Sequence, residues 1–215
     1  MDREKYLSIF VEGGVAEHFR SPTGQYGWVK LSNQMTLDLT QKDNTYRVYY
    51  AAFDQLPTYV ANYDFVFSSI VNGNEQIWQG KKGKVANLVY TDCSDHKENP
   101  DNLAIILTDE SKILLKKVGG RWEKSDEFPG FDLDIHEQYS TTTISYAQNT
   151  DATAHSFTTK SIFLIKSVKD MCKDVWTAKD KTQYARKVIW NGDQLIIKPK
   201  LGQRIEFKRE KGRLD

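Results

Sequence analysis

The densest group of reactive side chains lies in the stretch TDCSDHKENPDN, residues 91–102. Cys93 and His96 stand there beside Asp92, Asp95, Lys97 and Glu98, and thiol, imidazole and carboxylate are the ligand types of a zinc site. A polar hairpin loop containing a proline has the same composition. The second half of the chain has little more than NGD at the matching place, so this loop belongs to one half only. Features shared by both halves build a fold, whereas a feature of one half is at liberty to touch a partner. The loop is therefore read as a partner-contact loop and not as a metal centre.

Other chemistry is sparse. His18, His96, His136 and His155 are scattered, and His136 falls on the solvated side of the strand LDIHE. The sequence has no Gly-x-Ser-x-Gly, His-Glu-x-x-His, phosphate loop or Cys-x-x-Cys. Asp132 and Asp134 alternate along a strand, a wet position expected to leave both carboxyl groups near their ordinary behaviour. These residues point away from catalysis, and no cofactor is expected. The segment KPKLGQRIEFKREKGR, 198–213, carries seven basic residues against two acidic ones, so Lys198, Lys200, Arg204, Lys208 and Arg209 form a candidate basic face. Such a face suits nucleic acid or an anionic membrane, although outward lysines also keep edge strands apart. The formal net charge of +1 makes nucleic acid the weaker alternative.

The elements that must hold these residues are strands. FVFSSIVNGNEQIW (65–78) aligns without a gap on FLIKSVKDMCKDVW (163–176), 98 positions later. LDL at 37–39 matches LDI at 133–135, Tyr50 matches Tyr146, and KILLKKVGGRW (112–122) matches RIEFKREKGRL (204–214). A third, partial copy opens the chain, where Trp28 is aligned with Trp122. The expected organisation is a second half-unit over 1–34, a unit over 35–125, and a unit over 131–215, with SDEFPG as linker. A permuted folding unit that straddles these boundaries is the alternative. Period-two alternation, as in RIEFK, and turns at Asn72-Gly73, Gly13-Gly14, Asn191-Gly192 and Leu201-Gly202 call for hairpins. The fold class is therefore all-β, with at most one short helix per unit, as tandem small antiparallel β-sandwich or open-barrel modules. TAKDKTQYARKVIW (177–190) is the one segment able to hold a helical turn. Phe65, Trp78, Trp122, Phe163 and Trp176 are read as core, an exposed binding aromatic being the alternative for the tryptophans.

The order MTLDLTQ or FDLDIHE, then PTYVANYDFVFSSIVNGNEQIWQG, then NLAIILTDESKILLKKVGGRWEK resembles the FAINT domain (domain of unknown function 529) of Theileria-type parasites. The likeness covers nearly the whole chain. It implies tandem copies on a secreted or surface-exposed parasite protein acting at the host–parasite interface, and it brings no enzymatic residues. The opening MDREKYLSIFVEGG is too polar to read as a signal peptide, and no apolar run is long enough to span a membrane. Cys93 and Cys172 are read as two free thiols, with a single bridge as the alternative. The expectation is a non-enzymatic module binding a protein partner, from the host by resemblance, with dimerisation or strand exchange at an open sheet edge as one mode.

Overall fold

The structure, a computed structural model, describes residues 4–24, 26–51, 56–81, 83–92, 99–149, 153–160, 162–210 and 213–214. Where apolar residues recur at every second position, one face of an extended chain can leave water while the other stays wet. Strands are accordingly the rule. Among the described residues the sole helical element is a 3-10 turn, Lys181–Gln183, inside the segment read as able to hold one. Contacts divide the chain into two compact units, residues 1–52 with 57–125, and residues 53–56 with 126–215.

The first unit opens with a small antiparallel sheet, β1 (Lys5–Ile9), β2 (Glu17–Ser21) and β3 (Val29–Leu31), in that spatial order. A nine-stranded sheet follows. Its members are β4 (Gln34–Asp38), β5 (Val48–Ala51), β6 (Thr58–Ala61), β7 (Val66–Asn72), β8 (Glu75–Gln79), β9 (Ala86–Thr91), β10 (Asn102–Leu107), β11 (Lys112–Val118) and β12 (Arg121–Ser125). The path runs β12-β11-β10-β9-β6-β5, while β7 joins at β9 and carries β4 and β8.

The second unit repeats this plan with β13 (Phe131–Asp134), β14 (Ile144–Gln148), β15 (His155–Thr159), β16 (Ile165–Asp170), β17 (Lys173–Thr177), β18 (Ala185–Trp190), β19 (Gln194–Pro199), β20 (Ile205–Glu210) and β21 (Arg213–Leu214). Each pairing of β4–β12 recurs in β13–β21, down to the single-residue contacts Phe67 with Ala86 and Ile165 with Ala185. One pair in each sheet, β4 with β7 and β13 with β16, is parallel, a departure from a purely antiparallel plan. The sheets curl into open, barrel-like modules.

The core follows from the same alternation. Leu37, Phe65, Phe67, Ile70, Val89, Leu103 and Ile105 are buried in the first unit. Leu133, Phe163, Ile165, Val168, Val188, Leu195 and Ile197 hold the matching places in the second. The matched aspartates clamp a hairpin. Asp38 accepts bonds from the Thr40 and Gly73 amides at 3.0 Å, and Asp134 accepts from His136 and Cys172 at the same length. Partial burial opposes charge on Asp38, yet those amides and the Thr40 hydroxyl outweigh it and hold its carboxyl below the usual range. The segment read as a linker is packed instead: Phe128 meets Phe163 edge-on at 5.9 Å. An added Cβ on Gly130 would also lie 2.9 Å from the Tyr184 ring, so residues 128–130 are held within the second unit.

Candidate functional site

Most residues singled out in the sequence serve the fold or stand apart. Cys93, Asp95, His96, Lys97 and Glu98 lie outside the described residues. Asp92 is described, and it closes the base of that loop. Its carboxylate accepts from the amides of Asp101 and Asn102, both at 2.9 Å, and from the Asn102 side chain at 2.8 Å. Asn191 does the same in the second unit, accepting from the Asp193 and Gln194 amides at 3.1 and 2.7 Å. A polar side chain one residue past the strand captures amides that have left the ladder, so Asp92 has a matched structural role.

Lys198, Lys200, Arg204 and Lys208 are exposed around the β19–β20 hairpin, and Arg209 is placed only as backbone of β20. Glu206 interrupts this face through a 2.5 Å ion pair with Arg204. Phe65 and Phe163 are buried, and Trp176 is buried opposite Val168. Trp78 and Trp122 are half-buried against the first unit's core, with the Lys117 ammonium 5.7 Å above the Trp122 ring. His136 is an exposed group paired with Asp170 at 2.6 Å.

The sheet β1–β3 is a different kind of surface. Its inner face is polar and aromatic where β10 and β11 offer aliphatic side chains. The Tyr6 ring stacks on Tyr46 at 4.4 Å, and Ser8 Oγ bonds both Tyr46 Oη and His18 Nδ1, the latter at 2.8 Å. His18 is 1% exposed and lies on the Phe65 ring at 4.1 Å, while its Nε2 has no hydrogen-bond partner among the described residues. Burial pushes the His18 imidazole below its ordinary pKa, and Asp64 offsets only part of that. Asp64 itself accepts the Ala16 amide at 2.9 Å.

The outer face and its turn are bare. Among the described residues, eight of the fourteen large apolar side chains that remain exposed lie between positions 7 and 29. Leu7 and Ile9 stand on β1, Phe10, Val11 and Val15 follow round the Gly13-Gly14 turn, and Tyr26, Trp28 and Val29 lead into β3. Phe10 lies 6.1 Å from Tyr63, itself exposed. Trp28 is not the equivalent of Trp122: β3 places Val29 opposite Arg20, β12 places Lys124 opposite Leu115, and the match slips by one residue. The sequence reading passed over this surface, though a signal was present. YLSIFV contains one polar residue in six, the near-continuous pattern of a strand covered on both faces.

No family model, no curated protein and no solved structure matches this chain. Its informative relative is its own second copy. At the bulge where Thr36 bonds Ser69 at 2.6 Å in the first unit, Asp132 accepts from Ser167 at 2.5 Å in the second. Lys166 and Lys169 each stand 3.5 Å from Asp132, at a shallow cleft of about 270 Å³ that Tyr184 also lines. Partial burial works against ionisation of Asp132, but the Ser167 hydroxyl and the two lysines prevail and hold its pKa below the ordinary value. The expectation that this strand position leaves Asp132 unshifted is thereby corrected, because the neighbouring strand β16 brings a hydroxyl and two ammonium groups to it. Among the described residues no three His, Cys, Asp or Glu side chains converge as a metal-ligand set.

Proposed function

We propose that this chain is a non-enzymatic tandem β-module of the FAINT kind that binds another protein through its N-terminal sheet. The setting is the host–parasite interface that the resemblance implies, on a secreted or surface-exposed protein. One observation carries the reading: the outer face and turn of β1–β3 hold Leu7, Ile9, Phe10, Val11 and Val15 in water. Contiguous apolar surface is unfavourable in solution unless a partner covers it, and it supplies the central contacts of protein interfaces. The loop at 93–98 remains a proposed second contact. The basic hairpin is the weaker basis for an interface, since Arg204 is already paired with Glu206.

The test is affinity capture from host-cell lysate with quantitative mass spectrometry. Four baits are compared: wild type, a Leu7→Ser/Phe10→Ser/Val15→Ser variant, a version lacking 93–98, and Lys198→Glu/Lys200→Glu. Proteins retained by wild type should be lost from the first variant at unchanged thermal midpoint. Equal retention by that variant overturns the assignment to the N-terminal sheet. Loss confined to the lysine variant, with nucleic acid in the eluate, would replace it with the basic-face alternative.

A further inference from the structure

One strand departs from the pairing rule that the two copies otherwise share. β10 is bonded on both sides, to β9 and β11, and β19 is bonded to β18 and β20. β1 holds the corresponding place in the N-terminal sheet, since YLSIF aligns on LAIIL. Its antiparallel register with β2 sets Leu7 against Phe19 as β10 sets Ala104 against Leu114. Among the described residues, however, β1 pairs with β2 alone. The other edge of the small sheet is no exception. β3 corresponds to β12 and β21, which are the outermost strands on their side of their own sheets.

The edge residues differ accordingly. β12 carries Arg121, Glu123 and Lys124, and the three-residue β3 has Lys30 at its centre, the charges that discourage an added strand. β1 is KYLSI, with one lysine at its start and exposed Leu7 and Ile9 after it. Every second residue of a strand at a sheet edge turns its amide and carbonyl away from its neighbour, ready for another chain.

We propose that β1 is an acceptor for an extended segment of the β9/β18 kind, laid antiparallel along its open edge. This deepens the interaction reading above and rests on it. The chemistry of the occupant comes from the two filled examples. β10 pairs Ala104 with Tyr90 and Ile105 with Val89, and β19 pairs Ile196 with Ile189 and Ile197 with Val188. Carried to β1, a valine faces Ser8 on the inner side, and a large apolar residue faces Leu7 on the outer side. That second residue covers the side chain now in water. Ala104, the counterpart of Leu7, is 0% exposed beneath such a neighbour, whereas Leu7 is 42% exposed. Main-chain bonds would supply affinity and the alternate side chains selectivity, as in other strand-addition complexes. A second copy of this chain cannot donate β9 or β18 while folded, because both are already paired on two sides. The donor is thus an extended segment that is not already paired on both of its edges.

The test uses the full chain and a synthetic peptide of residues 84–92, KVANLVYTD, with a Val89→Asp peptide as control. Hydrogen exchange read by mass spectrometry and NMR should show amides of residues 5–9 slowed by the first peptide and unaffected by the second. A Leu7→Lys/Ile9→Lys chain should bind the peptide at least about tenfold more weakly, a loss of about 1.4 kcal/mol, with an unchanged far-UV spectrum. Protection absent from 5–9, protection at 29–31 instead, or undiminished binding by the lysine variant each overturns the proposal. So does a peptide-free dimer whose 5–9 amides are already protected, since the occupant would then be a second β1. If the peptide fails while the Leu7→Ser/Phe10→Ser/Val15→Ser chain still loses its captured protein, strand addition falls and the interaction reading stands.

Discussion

Strands β1–β3 and β10–β12 share one hairpin plan, yet they stand in different surroundings. β10 is the third strand from the β12 edge of a nine-stranded sheet, and Leu103, Ala104 and Ile105 are all removed from water. Among the described residues β1 is an edge, its Leu7 and Ile9 exposed, and its inner face is held by Tyr6, Ser8 and His18 where the other hairpin offers Leu103, Ile105 and Ile113. A hairpin buried through aliphatic packing is locked to its sheet. One held by ring stacking and a few hydrogen bonds around a single imidazole is anchored more weakly, and its outer face stays available. Pairing is inherited from the repeat, whereas burial is set by neighbours.

That contrast can be sharpened most strongly at the matched phenylalanines. Phe65→Ala and Phe163→Ala should each destabilise their own unit by about 3–5 kcal/mol in denaturant unfolding. Phe65→Ala alone should also speed amide exchange in β1–β3, because His18 rests on that ring. Equal exchange in both variants would mean that the ring does not anchor the sheet.

The next effect separates the two complete copies. Gly80 and Ala178 are equivalent, each amide bonding the carbonyl 12 residues before it at 2.9 Å. A Cβ at Gly80 would fall 2.1 Å from the Lys84 carbonyl oxygen. Gly80→Ala should therefore cost about 3 kcal/mol by overpacking against backbone, and Ala178→Gly under about 1 kcal/mol. Similar losses for both would show that the 80–85 turn adjusts freely.

Acid should act on the N-terminal sheet through His18. Its folded pKa lies below the ordinary 6.5, so the unfolded chain takes up a proton first as pH falls. The sheet is then fully stable above about pH 6.5 and progressively less so below it, down to the folded value. Exchange of β1–β3 amides between pH 7.5 and 5 should record this, and His18→Ile, which installs the residue type of Ile113, should flatten the profile. A slope that survives His18→Ile belongs to other groups.

The smallest effect lies in the hairpin turns. Gly73 takes φ +60° without a Cβ, whereas Met171 and Cys172 hold +48° and +66° with one. Replacing Met171-Cys172 by Asn-Gly should stabilise the second unit by about 1 kcal/mol, read as a higher thermal midpoint. No change would mean that the turn is unstrained as it stands.

Much of the fold was legible because its signals are local. The Asn72-Gly73 and Asn191-Gly192 turns, the alternation of RIEFK and the gapless match of 65–78 on 163–176 each report on neighbouring residues. The structure follows them in β7–β8, β16–β17 and β18–β20. The parallel pair β4–β7 was not legible, since its partners lie about 30 residues apart and no turn joins them directly. The ionisation of Asp132 was misread for the same reason: Lys166, Ser167 and Lys169 reach it from another strand. Cys172 emerges as an exposed free thiol, a matter that two cysteines in a sequence could not decide.

The sequence by itself determined that this protein is built of strands and that its units are copies, because a period of two and an internal repeat are written along the chain. Only the tertiary structure decided which faces of those strands lack cover. Burial is a relation between segments far apart in sequence, and YLSIFV reads alike whether a fourth strand lies beside it or water does.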